Sequence, residues 1–98
     1  MLWVEVKDWS FLEFDCEGCQ NGVKLHLAGI CSKDRRFVDG SYIITSQIIS
    51  SHGRSIVTEN GTQYFLKGSP SKYWVEDQKL MGKTVDLENP LETFFSRK

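Results

Sequence analysis

The sequence predicts a mainly β (or α+β) fold: an antiparallel meander forming a small barrel-like or curved sheet, with one or two short C-terminal helices against it. Three observations carry this expectation. Short apolar runs between Tyr42 and Gly68 are separated by turn residues. The last two runs are joined by Asn60-Gly61, a pair suited to a type I′ turn because both of its central residues need positive φ. Upstream, Val23, Leu25 and Leu27 alternate with Lys24, His26 and Ala28, the period of a half-buried strand.

In chain order, Leu2, Val4 and Val6 alternate with Trp3, Glu5 and Lys7, which predicts a first strand that Asp8 interrupts. Trp9 to Phe14 is too aromatic for a solvated loop and reads as a second short strand or a packed turn. Asp15 to Gly22 gathers two glycines, Asn21 and two cysteines, the composition of a loop or a metal knuckle. The segment from Val23 to about Ile30 is a strand with Leu25 and Leu27 inward, and Gly29 is a candidate bulge. Ser32 to Arg36 is a charged connection, and Val38-Asp39-Gly40-Ser41 supplies turn chemistry for a hairpin. In Tyr42 to Ser50, Ile43-Ile44 and Ile48-Ile49 put apolar side chains on both faces. That pattern suits a central strand covered on both sides or bending between sheets.

After a turn at Ser51-His52-Gly53-Arg54, the segment Ser55 to Glu59 is expected to pair with Thr62 to Lys67. A two-residue Asn-Gly link sets Glu59 opposite Thr62, Val57 against Tyr64 and Ile56 against Phe65. Ser69 and Pro70 are then placed as N-cap and first residue of a short helix, with Tyr73, Trp74, Leu80 and Met81 as its apolar stripe before Gly82. A last helix is expected from Asn89, with Pro90 at its first position, Glu92 completing a capping box, and Leu91, Phe94 and Phe95 docking it.

The chain has 98 residues, enough for a single domain spanning 1–98 with one core and no linker. Twelve Lys plus Arg against 13 Asp plus Glu leave no broad basic face, which argues against nucleic acid as the partner. Met1-Leu2-Trp3-Val4-Glu5 lacks the basic start and long apolar run of a leader, and no later run approaches a membrane span, so a cytoplasmic location is expected. Three cysteines in that setting suit reduced thiols better than a disulfide framework.

Four features bear on function. Cys16-x2-Cys19-x6-His26-x4-Cys31 approaches a zinc knuckle, C-x2-C-x4-H-x4-C, and makes Cys16, Cys19, His26 and Cys31 the candidate metal ligands. The middle gap is two residues too long, and on a straight strand His26 and Cys31 face opposite sides, so only a bulge near Gly29 lets them converge. A Cys16–Cys19 redox pair is the weaker alternative, since no βαβ context surrounds it; ordinary cysteines and no cofactor are the default. Lys33, Arg35 and Arg36, with Asp39 beside them, form a small basic loop that could hold phosphate or an acidic partner surface; a solvated hairpin loop is the plainer reading. His26, His52, Thr45 and Ser46 supply bases and hydroxyls but no spacing that makes a nucleophile and an oriented base, so no enzyme is expected. Trp3, Trp9, Tyr73, Trp74, Phe94 and Phe95 lie outside the meander, where aromatics close a small core more often than they form an interface.

Arg36-Phe37-x-Asp39-Gly40-x-x-Ile43-x-Thr45-Ser46-x-Ile48, then Val57-Thr58 and Asn60-x-x-x-Tyr64-x-Leu66-x-Gly68, resembles a pattern in a family of small, uncharacterised β-rich proteins encoded by phages and prophages. The resemblance covers residues 36–68, about a third of the chain, and excludes the cysteine loop. It implies a mobile-element accessory protein and transfers no catalytic residue. The expectation is therefore a non-catalytic protein-interaction module modulating a host factor, monomeric or weakly homodimeric, using the Lys33–Gly40 loop and nearby exposed aromatics. The alternative is a zinc-stabilised nucleic-acid-binding module.

Overall fold

A computed structural model describes residues 3–19, 22–82 and 86–91. Five strands follow in order: β1 (Trp3–Asp15), β2 (Val23–Ser32), β3 (Tyr42–His52), β4 (Ser55–Thr58) and β5 (Gln63–Leu66). One helix, α1 (Lys72–Leu80), comes after them. Each strand pairs antiparallel with the next, as a meander requires. Five strands of alternating direction leave β5 running the same way as β1, so the pairing closes through a parallel ladder of Trp3–Val6 with Gln63–Leu66. The result is a strongly curved, barrel-like sheet.

Bulges produce the curvature. Asp8 does not end β1; it takes φ +48° and, with Trp9, stands opposite the single residue Gly29 of β2. The extra residue bends the strand and turns the Trp9 side chain inward, where it is fully buried beside Val4, Val6 and Phe11. The bulge is thus on β1, with Gly29 as its partner. Gly29 is required by close approach: a Cβ there would overlap Val6 Cγ1 and lie 2.8 Å from Lys7 O and 3.2 Å from Trp9 Cα.

A second irregularity sets Thr45 and Ser46 of β3 opposite Leu27, and a third sits at Ile49 between the Ile48–Thr58 and Ser50–Val57 pairs. Each shifts the inward–outward alternation by one. Ile43 and Ile48 are therefore core residues, while Ile44 and Ile49 face solvent. β3 is central in the sense that it pairs on both sides, but each isoleucine doublet has one member in the core and one toward solvent, so the strand is not covered on both faces.

The β4–β5 hairpin differs from expectation by one register step. The Thr58 N–H donates to Thr62 O (3.2 Å) and the Gly61 N–H to Thr58 O (2.9 Å), leaving a three-residue loop, Glu59–Gly61. Of the Asn60-Gly61 pair, Gly61 alone has positive φ (+87°). A type I turn closed by a left-handed glycine satisfies both constraints with the same two residues. The Asn60 Oδ1 fixes it by accepting from Thr58 Oγ1 (2.7 Å) and the Thr62 N–H (3.3 Å). The pairs become Ile56–Tyr64 and Val57–Gln63, which buries Ile56 and Tyr64 together and turns Phe65 outward.

The core fills the ring, and one end is closed by segments that follow β5. Pro70 is buried in a parallel bridge to Trp9, and the Ser71 N–H donates to Trp9 O (2.8 Å), so α1 begins after Ser71 rather than at Ser69-Pro70. Only Trp74 of the expected stripe docks, its ring 6.0 Å from Trp9 and 5.4 Å from Phe11; Tyr73, Leu80 and Met81 are exposed. Arg54 binds the same end together. Its guanidinium lies over Trp9 and donates to Leu66 O (2.8 Å), Leu87 O (2.6 Å) and Gly68 O. Leu91 completes the core. Asn89 and Pro90 lie in a turn, and the remainder of the expected last helix, including Glu92, Phe94 and Phe95, lies outside the described residues.

Two substitutions test this account. Gly29→Ala should lower stability by about 1–3 kcal/mol, read from a urea midpoint, because overpacking against backbone cannot relax cheaply. Gly61→Val should cost at least about 1–2 kcal/mol through its backbone alone, since open space surrounds the site, while Gly61→Asn should cost much less. Equal midpoints for Val and Asn would remove the left-handed position from the turn.

Candidate interaction surface

The β2–β3 connection, residues 33–41, is built mainly by its own charges. Its stem closes when the Gly40 N–H donates to Cys31 O (2.8 Å) and the Cys31 N–H to Ser41 O (2.9 Å). The Lys33 N–H donates to Asp39 Oδ1 (2.9 Å), which holds Lys33 at φ +68°. Asp34, only 6% exposed, accepts from the Arg36 N–H, Nε and Nη2 at 3.0, 3.0 and 2.8 Å. Arg36 Nη2 also donates to the buried Tyr64 hydroxyl (3.2 Å), which ties the loop to β5. The Arg36 guanidinium holds the Asp34 carboxyl below its usual range, against the opposing effect of burial.

Of the four residues expected to bind, then, Arg36 and Asp39 shape the loop. Lys33 donates to Glu5 Oε2 (3.0 Å), whose other oxygen accepts from Lys67 (3.3 Å). Arg35 is exposed, as are Phe37 and Val38 on the rim of the loop.

The structure does not assemble the expected metal ligands. Cys16 and Cys19 are joined as a disulfide at the far end of the β1–β2 hairpin, so these two cysteines are not the reduced thiols that the count suggested. Cys31 stands opposite Val6 in the core at 1% exposure; from Val23 beside the cysteine loop to Cys31 is eight residues of strand, roughly 26 Å at the usual rise. Burial, then the neighbouring Asp34 carboxylate, pushes the Cys31 thiol pKa up and keeps it protonated. His26 is on the outer face, its Nδ1 2.9 Å from Thr45 O and its ring edge-on to Phe14. Among the described residues no three His, Cys, Asp or Glu side chains are grouped to hold a metal ion. The Thr45 hydroxyl accepts the Leu27 N–H (3.1 Å) and donates to Ser46 O (2.7 Å), supporting the β3 bulge. His52 is exposed at the end of β3.

What the sequence did not single out is the outer face of β1, β2 and β3. With Leu25, Leu27 and Cys31 inward, the half-buried Ile30 pairs with Tyr42 of β3, while Ala28, opposite Ile44, is fully covered. Tyr42 is 64% and Ile44 57% exposed. Along β1, Leu12 pairs with His26, and the exposed Phe14 packs on the His26 ring. Exposed apolar side chains thus stand at Tyr42 and Ile44 on β3 and at Phe14 on β1, and Tyr42 lies beside the stem of the Phe37–Val38 loop. The signal in the sequence was the doublet Ile43-Ile44, of which ordinary alternation exposes one member.

No described helix is long and apolar enough to cross a membrane. The chain matches no family model, and no curated protein or solved structure is significantly similar to it.

The Asp34–Arg36 pair predicts an acid-sensitive loop. A carboxyl with depressed folded pKa contributes stability above its unfolded value, about 3.9, and loses it as pH falls through the folded value. Asp34→Asn should therefore lower stability at pH 7 by about 1–3 kcal/mol, and its deficit should shrink below about pH 4. Urea midpoints at pH 7, 4 and 2.5 measure this, and a constant deficit would deny the linkage.

Proposed function

We propose that the chain is a non-catalytic protein-interaction module, a phage or mobile-element accessory protein that modulates a host factor through the outer face of β2 and β3. The observation that carries this reading is the exposed Tyr42–Ile44 stripe beside the Arg35-Arg36-Phe37-Val38 loop. A rigid sheet presenting adjacent aromatic and aliphatic side chains has the makings of an anchor site, because such side chains lose little rotamer freedom on docking. The loop adds a cation, Arg35, at the rim of the patch. Arg36 stays fixed by Asp34 and stacks near the Phe37 ring at 5.6 Å, which preorganises that side of the surface.

The test compares retention of proteins from a bacterial host extract on the immobilised full chain and on two variants. Tyr42→Glu with Ile44→Glu should reduce retention of a saturable partner at least about tenfold. Leu80→Glu, on the exposed face of α1, should leave it unchanged. Equal retention by both variants, or no saturable partner for the parent chain, would overturn the proposal.

A further inference from the structure

The β1–β2 hairpin ends in a closed pair of cysteines, Cys16 and Cys19. β1 and β2 are already held in register up to the Asp15–Val23 pair. Beyond it, the loop carries its own hydrogen bonds: the Cys16 N–H donates to Gly22 O (2.9 Å), the Gly22 N–H to Cys19 O (2.9 Å) and the Cys19 N–H to Cys16 O (3.3 Å). The Cα atoms of Cys16 and Cys19 lie 5.5 Å apart, within the usual bridging range. The pair is three positions apart, so its bond closes a very short loop and restrains the unfolded chain little. Both cysteines are partly exposed, while Cys31 is enclosed by the core. A disulfide that is accessible, closes so short a loop and sits beyond the last paired residues of its hairpin has the properties of an exchanging bond, not of a structural staple.

We infer that Cys16 and Cys19 form a reversible dithiol–disulfide site at the hairpin tip, exchanging with external thiols while the barrel-like sheet stays folded. In the exchange an incoming thiolate bonds to one protein sulfur as the Cys16–Cys19 bond breaks, and the released thiolate takes a proton. A second external thiol attacks the incoming sulfur, releasing an external disulfide and the other cysteine as its thiol. Two external thiols are oxidised and the protein pair gains two electrons and two protons. The surroundings discriminate among co-reactants: Glu13, Asp15 and Glu17 are exposed around the tip, against Lys24 alone of opposite sign on the adjoining strand. A cationic thiol is favoured over an anionic one, and the preference is screened by salt.

The experiment equilibrates the full chain with graded ratios of reduced to oxidised glutathione, quenches with acid, alkylates under denaturing conditions and maps the adducts by mass spectrometry. The expected result is one two-electron transition in which the Cys16–Cys19 peptide passes from no adduct to two, with unchanged amide-exchange protection in β1–β5. Cysteamine should reduce the site at least about threefold faster than mercaptoethanesulfonate at low salt, with the ratio falling as salt rises. A pair that stays dithiol in the most oxidising buffer, or stays bonded in excess reductant, would overturn the inference. So would loss of folding on reduction. The double variant Cys16→Ser/Cys19→Ser checks the last point independently: a thermal midpoint within a few degrees of the parent is expected, and failure to fold would make the bond structural.

Discussion

The curved sheet depends on how closely β2 can approach β1 at Gly29. Without a side chain there, the backbone of Lys7 to Trp9 comes within contact of the Gly29 Cα, and the two-for-one bulge can form. That bulge allows a 13-residue strand to serve two neighbours, β5 along its first four residues and β2 along most of its length. It also rotates Trp9 into the core, where Trp74, Pro70 and Arg54 gather on it. The closing segments therefore have a binding site only because the strand bends.

The same economy shapes the charged loop. A hairpin connection with three cations and two carboxylates could have been wholly solvated, yet most of those charges are satisfied internally. Asp34 is shielded from water but receives three donors from Arg36, so its charge remains compensated. The loop is consequently held by its own bonds beside the exposed side chains of β3, and Arg35 projects from it into solvent. Firm support under an apolar surface lowers the ordering cost of docking, which is the physical basis of the function proposed for it.

Much of this was legible in the sequence, and the failures share one cause. The alternation at Val23–Leu27 and at Val4–Val6 located strands correctly, and turn chemistry located the hairpin at Asn60-Gly61. Bulges were not legible because they add a single residue and leave no compositional mark beyond a glycine or a doublet. That is why Asp8 looked like a break and Ile56 like the partner of Phe65, while Ile43-Ile44 looked like a doubly covered strand although ordinary alternation leaves Ile44 exposed. Long-range pairing was equally hidden: nothing near Arg36 announces that its second partner is the Tyr64 hydroxyl, 28 positions away. The Cys–His spacing was visible, but an extended strand carries Cys31 away from the cysteine loop, and β2 has no bend sharp enough to return it.

An odd-stranded meander also imposes an order on its own synthesis. The first strand cannot complete its pairing until the last has been made, and Trp9 reaches across 59 positions to donate from its indole to Gly68 O (3.4 Å). Until then the apolar face of Val4 and Val6 has no lid, and a nascent chain lacking β5 holds an open, sticky edge. Closure is thus a late, non-local event, of the kind that slows folding.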